Sequence, residues 1–225
     1  MSVDAYELSA ESAIQDRWLA EATLLDLDES SLESMKGFLA DMEAHHEGTY
    51  MHSMRIGLLA SRIGTLITEL DDLPPGALFC AATTHDWGKL NVPVEILDKK
   101  TEPTEEEWAI IRRHPLDSYE ALMRAGMPLE AGAVVLHHAF QPNPYPAPEE
   151  IPEPDPQLPE HLVRLQPLMG KVIALADFYD SSHRGDSGNL LSADEIKAKI
   201  YRDYADQSDL LDRIYGEGIF SSLID

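Results

Sequence analysis

Two adjacent pairs could do chemistry: His85-Asp86 in "TTHDWGKLNVP" and His137-His138 in "VVLHHAFQP". Neighbours on a regular helix point about 100° apart, so both members of a pair can address one site where they straddle a helix end. Both stretches read as helix ends. His52 in "YMHSMRIG" and His114 in "RRHPLD" sit at similar starts, stops or crossings. Imidazole nitrogens with carboxylate oxygens suit first-row divalent ions such as iron, manganese or zinc. Asp86 has two oxygens and could bridge two ions. Asp177 follows the apolar run "KVIALA", where a lone ionised carboxylate would be costly and a metal would remove that cost. There is a plain alternative. A histidine on an apolar helix is more often a hydrogen-bonded core residue, and Asp177 could cap a helix or pair with an arginine. Spacing alone leaves both readings open. His45, His46, His161 and His183 are read as residues of the plain kind.

The elements that would position these residues are helical. "ELSAESAIQDRWLAEATLLDL" has helical apolar spacing after Ser9 as a candidate cap. In "SSLESMKGFLADMEAHH", Ser30 and Glu33 suggest a capping box. "TYMHSMRIGLLASRIGTLITEL" reads as one helix, and "PPGALFCAATTHD" as another with proline in its first turn. Thr104 caps a turn of three glutamates, His114-Pro115 opens "LDSYEALMRAG", and Gly126 closes it. "PLEAGAVVLHH", "MGKVIALADFYDSS", "SADEIKAKIYRDY" and "DLLDRIYGEG" follow. No convincing strand pattern or internal repeat is present. The expected architecture is all-α, with "MRIGLLASRIGTLI", "ALFCAA", "AVVL" and "KVIALA" as inner faces.

The chain has 225 residues and a net charge of −24, with 41 acidic against 17 basic residues. That balance repels nucleic acid and anionic membranes, so neither is an expected partner. It fits a solubilising acidic surface or a high-salt habitat. An anionic substrate would need local positive charge. No apolar run nears the roughly 18 residues that span a bilayer, and the polar, acidic start is no signal peptide. The single Cys80 excludes an internal disulfide and fits the cytoplasm. Eight of the fifteen prolines fall in the acidic loop 139–160, too many for regular helix. A stiff loop of this length is a candidate lid or protein-partner surface.

The segment "HDWGKLNVPVEILDKKTEPTEEEWAIIRRHPLDSYEAL" resembles the HD-GYP branch of the HD phosphohydrolase superfamily. The order of residues also fits: His52 upstream, then His137-His138, then Asp177 ending "VIALADFYD". The resemblance covers roughly residues 45 to 215. It implies an HD-domain helical bundle over 45–225, with 1–44 as an N-terminal helical extension. It also implies two divalent ions, iron or manganese. His52, His85, Asp86 and Asp177 would hold one, and Asp86 would bridge to a second held by His114, His137 and His138. Gly48 stands where some members place a glutamate for a third ion, and Glu47 is one position out of register. Such a centre activates water for in-line attack on phosphorus. Asp86 and Lys89 would be the catalytic residues, with Lys89 neutralising phosphate charge. In the family this cleaves cyclic dimeric GMP. Lys89, Tyr145 and Arg184 are candidate substrate contacts, and Arg112 and Arg113 could add positive charge or complement a helix C-terminus.

The chain departs from the family at the recognition loop. Ala139 replaces the glutamate of His-His-Glu, and the Asp-Gly is missing. Pro144 stands where the glycine of Gly-Tyr-Pro is expected, although Tyr145 and Pro146 remain. The Arg-Pro-Tyr-Arg segment is also missing, with Arg184 about two positions early. Proline forbids the backbone freedom glycine allows, so the loop must take another path. Three functions follow: a divergent cyclic-dinucleotide phosphodiesterase, an HD phosphohydrolase for another nucleotide or phosphate ester, or a non-enzymatic signalling module.

Overall fold

The computed structural model describes residues 3–141, 143–184 and 191–220, with side chains described from residue 12 and without that of Arg184. These residues form helices and 3-10 turns with no strand among them, in line with the all-α expectation. The helices are α1 (Val3–Leu24), α2 (Glu29–His45), α3 (Glu47–Gly64), α4 (Ala77–Thr84), α5 (Val94–Leu97) and α6 (Glu105–Ile111). They continue with α7 (His114–Arg124), α8 (Pro128–Val134), α9 (Glu160–Arg184), α10 (Ala193–Asp203) and α11 (Ser208–Gly216). No described helix is long and apolar enough to cross a membrane.

Several boundaries differ from the expected ones. Ser9 lies inside α1 and caps nothing, because the preceding Ala5, Glu7 and Leu8 are good helix formers. The α2 cap is Asp28, two residues before Ser30; its carboxylate accepts from the Ser31 N–H at 2.9 Å. A carboxylate caps at least as well as a hydroxyl and brings Glu29 into the first turn. α3 stops at Gly64, and "TEL" forms a separate 3-10 turn, Thr68–Leu70. The prolines before α4 stay outside it, and Gly76 precedes the helix in the left-handed region at φ 76°. Thr104 caps α6 as expected, and with Glu107 it completes a capping box.

The core is built on α3, α4, α8 and α9. α3 packs on α4 and α9, and α8 packs on α4 and α9. Ile56, Ala60 and Ile63 of α3, Ala81 and Ala82 of α4, Ala133 and Val134 of α8, and Ile173 and Ala176 of α9 are all fully buried. These are the four expected inner faces. The first two helices join the same core through Ile14, Trp18, Ala22, Met35, Leu39 and Met42. Trp18 packs against Phe79 with ring centroids 5.2 Å apart and donates its indole N–H to the Thr83 hydroxyl at 3.1 Å. Thr83 lies two residues before His85, so α1 braces the helix that carries the first ligand pair.

Replacing Trp18 with Ala removes that ring and leaves a cavity beside Phe79. The expected cost is about 3–5 kcal/mol of unfolding free energy, measured by urea denaturation; a cost under about 1 kcal/mol would show that α1 does not brace α4.

Candidate metal centre

Three of the imidazoles that enter the site at helix ends or junctions are oriented by one repeated local device. His85 closes α4, and its Nδ1 hydrogen-bonds the carbonyl of Ala82 at 2.8 Å. His114 opens α7 and uses the carbonyl of Ile111 at 2.7 Å. His137 follows α8 and uses the carbonyl of Val134 at 2.6 Å. Each partner is the carbonyl three residues earlier, one of the last carbonyls of a helix, which lack an intrahelical partner. Because a carbonyl only accepts, each Nδ1 carries the proton and each Nε2 keeps its lone pair.

Those lone pairs converge. His114 Nε2 and His137 Nε2 lie 3.1 Å apart, each with its Nδ1 already held by a backbone carbonyl. A proton or a cation must sit between them. His85 Nε2 is buried with no hydrogen-bond partner. Buried polar atoms are seldom left in that state, and cations held here would satisfy all three nitrogens. The donor set passes this fit test. His114, His137 and His138 form one triad of ligand atoms within 4.8 Å of one another, and His52, His85 and Asp177 form another.

Asp86 lies between the triads. Its Oδ1 is 3.2 Å from His114 Nε2, while its Oδ2 is 3.4 Å from His85 Nε2 and 3.6 Å from His52 Nε2. The residue is buried, 1% exposed. Burial alone would raise its pKa; His85, Lys89 and His114 outweigh that and hold the carboxyl well below the usual range. Asp177 shows the same balance, lowered chiefly by its hydrogen bond to His52 at 3.1 Å. Burial lowers His85, lowers His137 well below its ordinary value, and takes His138 to about 3, so these rings stay neutral. His52 differs. Burial would lower it too, but Asp177 and Asp180 overturn that and raise it above the ordinary 6.5.

The structure gathers His52, His85, Asp86, His114, His137, His138 and Asp177 into one centre. Lys89, expected to neutralise phosphate charge, sits at the centre with its ammonium on Asp86 Oδ2 at 2.5 Å. Tyr145 stacks on His138 with centroids 4.3 Å apart, and burial pushes its phenol far up. Arg113 is turned away, pairing with Asp117 at 3.0 Å, and Arg112 lies over Trp108. The Arg184 side chain lies outside the described residues. Gly88 reads by type as a turn residue, but it serves another end. Its φ is not in the left-handed region, and it is needed for closeness: a Cβ there would lie 2.1 Å from the His114 carbonyl. Ser118 completes this junction, accepting from Gly88 N–H at 2.8 Å and donating to the His85 carbonyl at 2.9 Å.

Sequence reasoning missed the partners behind the ligands. Asp180 accepts from His52 Nδ1 at 2.7 Å and is gripped by Arg55 through two bonds of 2.7 and 3.1 Å. The signal was present: Asp177 and Asp180 share one helix face at i, i+3, as do His52 and Arg55. A carboxylate behind a ligand histidine fixes its tautomer and raises its basicity.

A family profile described as "HD domain" matches residues 49–182, more than half of the chain. The chain belongs to the HD domain family. HD domains are metal-dependent, and this one carries a His/Asp cluster able to bind metal. The HD domain here is 27% identical over 166 residues to the Vibrio cholerae serotype O1 protein named 3'3'-cGAMP-specific phosphodiesterase 2, covering 70% of this chain and 28% of that protein. It is 26% identical over 168 residues to the cyclic di-GMP phosphodiesterase response regulator RpfG of Xanthomonas campestris pv. campestris, covering 71% and 40%. A Thermotoga maritima protein named cyclic di-GMP phosphodiesterase is 30% identical over 145 residues, covering 63% and 34%. The matches thus span under half the length of these relatives. Their names agree with the HD-GYP resemblance.

The raised pKa of His52 sets the pH response of this HD domain's metal binding. Binding needs neutral His52, so affinity falls as pH drops through that raised value. His85, His137 and His138 are already neutral there. Loading should therefore release protons, and release should grow as pH falls toward and through that raised value, read by calorimetry in buffers of different ionisation enthalpy; loading without proton release at any pH would contradict the assignment.

Proposed function

We propose that this HD domain is a two-metal phosphodiesterase for a cyclic dinucleotide, cyclic di-GMP or a close relative. The observation that carries the reading is the division of Asp86, one oxygen toward His114 and the other toward His52 and His85. His52, His85, Asp86 and Asp177 would hold one ion, and Asp86 with His114, His137 and His138 the second. Iron or manganese suits such a nitrogen and oxygen set. When bound, the two ions supply Lewis acidity and an activated water for in-line displacement at phosphorus.

The chain's own residues bind and orient the substrate. Lys89 is the cation nearest the bridging carboxylate, and its side chain is 24% exposed, so it can reach both solvent and the centre. It pairs with a non-bridging phosphate oxygen and offsets the charge that grows there. Its positive charge, with the ions, makes a local attraction in a chain of net charge −24. Tyr145, flat against His138, forms an aromatic wall on the side of the second triad. Such a wall suits a nucleobase or ribose better than bulk water. The relatives named above act, by their names, on cyclic dinucleotides, which supports this substrate class.

A second reading is an HD phosphohydrolase for another phosphate ester. The observation favouring it is the loop, where Pro144 replaces glycine and Ala139 replaces a glutamate of the family pattern. One assay separates the two. Manganese- or iron-loaded protein is incubated with cyclic di-GMP, 3'3'-cGAMP and a generic phosphodiester. The expected result is turnover of a cyclic dinucleotide. Asp86→Ala should reduce it by more than the roughly 10–100-fold that an outer-shell loss costs. Cleavage of the generic ester alone would favour the second reading, and no cleavage of any would refute both.

A further inference from the structure

Three of the clustered imidazoles hold their Nδ1 against a backbone carbonyl three residues earlier. His52 holds its Nδ1 against a carboxylate. Each of these partners is an acceptor, so each ring keeps a proton on Nδ1 and turns its Nε2 to the centre. His138 breaks the pattern. Its Nδ1 is met by the side-chain amide of Gln141, three residues later. Its ring is 7% exposed and stacked under Tyr145.

A carboxamide differs from a carbonyl or a carboxylate in one respect. It carries an acceptor oxygen and a donor NH2 on the same carbon, and a half-turn about the last bond exchanges them. With the nitrogen facing the ring, Gln141 donates to Nδ1 and the ring's own proton must sit on Nε2. That tautomer cannot ligate a metal through Nε2. With the oxygen facing the ring, the proton moves to Nδ1 and Nε2 is free. The structure holds the first arrangement, amide nitrogen to Nδ1.

We propose that Gln141 is a positioning residue that sets the tautomer of His138 and thereby the affinity of the His114, His137 and His138 subsite. The inference rests on the reading that the cluster takes two ions. Loading the second subsite requires the Gln141 amide to turn and the His138 proton to change nitrogen, whereas no ring of the first subsite needs a tautomer exchange. The second ion therefore binds more weakly than the first, and a side chain at 141 that only accepts removes the difference. Gln141 lies in the segment that departs from the family pattern after His138, so the altered loop acts on the metal centre as well as on the substrate.

Two measurements test this. The first is nitrogen-15 NMR of the histidine side chains in metal-free protein and after titration with zinc, which is diamagnetic. His138 should carry its proton on Nε2 when metal-free and on Nδ1 when loaded, while His85 keeps Nδ1–H throughout. His138 already on Nδ1 in the metal-free protein would overturn the proposal. The second is a zinc titration of wild type, Gln141→Leu and Gln141→Glu. Leucine should weaken the second binding event by roughly 10–100-fold, the usual cost of an outer-shell partner. Glutamate, an obligate acceptor when ionised, should bind the second ion more tightly than wild type. Neither change should move the first event, which also shows that both variants are folded. Equal second-site affinity in all three proteins would overturn the role of Gln141 and leave the two-ion reading standing. A wild type that binds one ion would refute the two-ion reading, and the His138 tautomer in the metal-free spectrum then still decides what Gln141 does.

Discussion

The constraint on which the rest of the structure depends is the approach of two imidazole nitrogens, His114 Nε2 and His137 Nε2, to 3.1 Å. Both rings commit Nδ1 to a backbone carbonyl. Two ring nitrogens at that distance repel unless a proton or a cation lies between them. Asp86, buried beside them and held ionised, makes the centre a concentrated set of donors with one carboxylate at the middle. Lys89 supplies one positive charge from the rim. Buried charge of this kind is costly unless paired, and divalent ions are the pairing partners that imidazoles and carboxylates together select.

The helices serve that constraint through their ends. An α-helix leaves its last carbonyls without partners, and three ligands take those carbonyls at Nδ1. One contact thus caps a helix and chooses a tautomer. The exact placement then depends on close backbone packing. Gly88 lets α7 come near enough for its first residue, His114, to face Asp86, and Ser118 ties the two segments together. Trp18 and Phe79 brace α4 from the other side. The fourth ring, His52, lies mid-helix on α3 with no helix end to use, so Asp180 and Arg55 take over the orienting role.

Much of this was legible in the sequence, for a physical reason. Ligand residue types are few, they stand at helix ends that have their own sequence signals, and the four inner helix faces follow from apolar periodicity. The HD-to-His-Pro stretch carried the family. What could not be read were contacts that depend on distance in space. Gly88 resembles a turn residue in one dimension and is a packing residue in three. Lys89 reads as a phosphate contact, and its pairing with Asp86 shows only in three dimensions. Asp28 took the α2 cap from Ser30 because both are good caps and only the fold chooses between them. Asp180 and Gln141 stand next to recognised ligands, yet their roles are set by which ring nitrogen each one meets.

The central claim is that these side chains hold two ions with Asp86 between them. Anomalous diffraction from crystals soaked in manganese tests it most directly. The account predicts two anomalous peaks a few ångströms apart, one among His52, His85 and Asp177, the other among His114, His137 and His138, each in contact with one oxygen of Asp86. A single peak, or none, with His114 and His137 still facing each other, would contradict it.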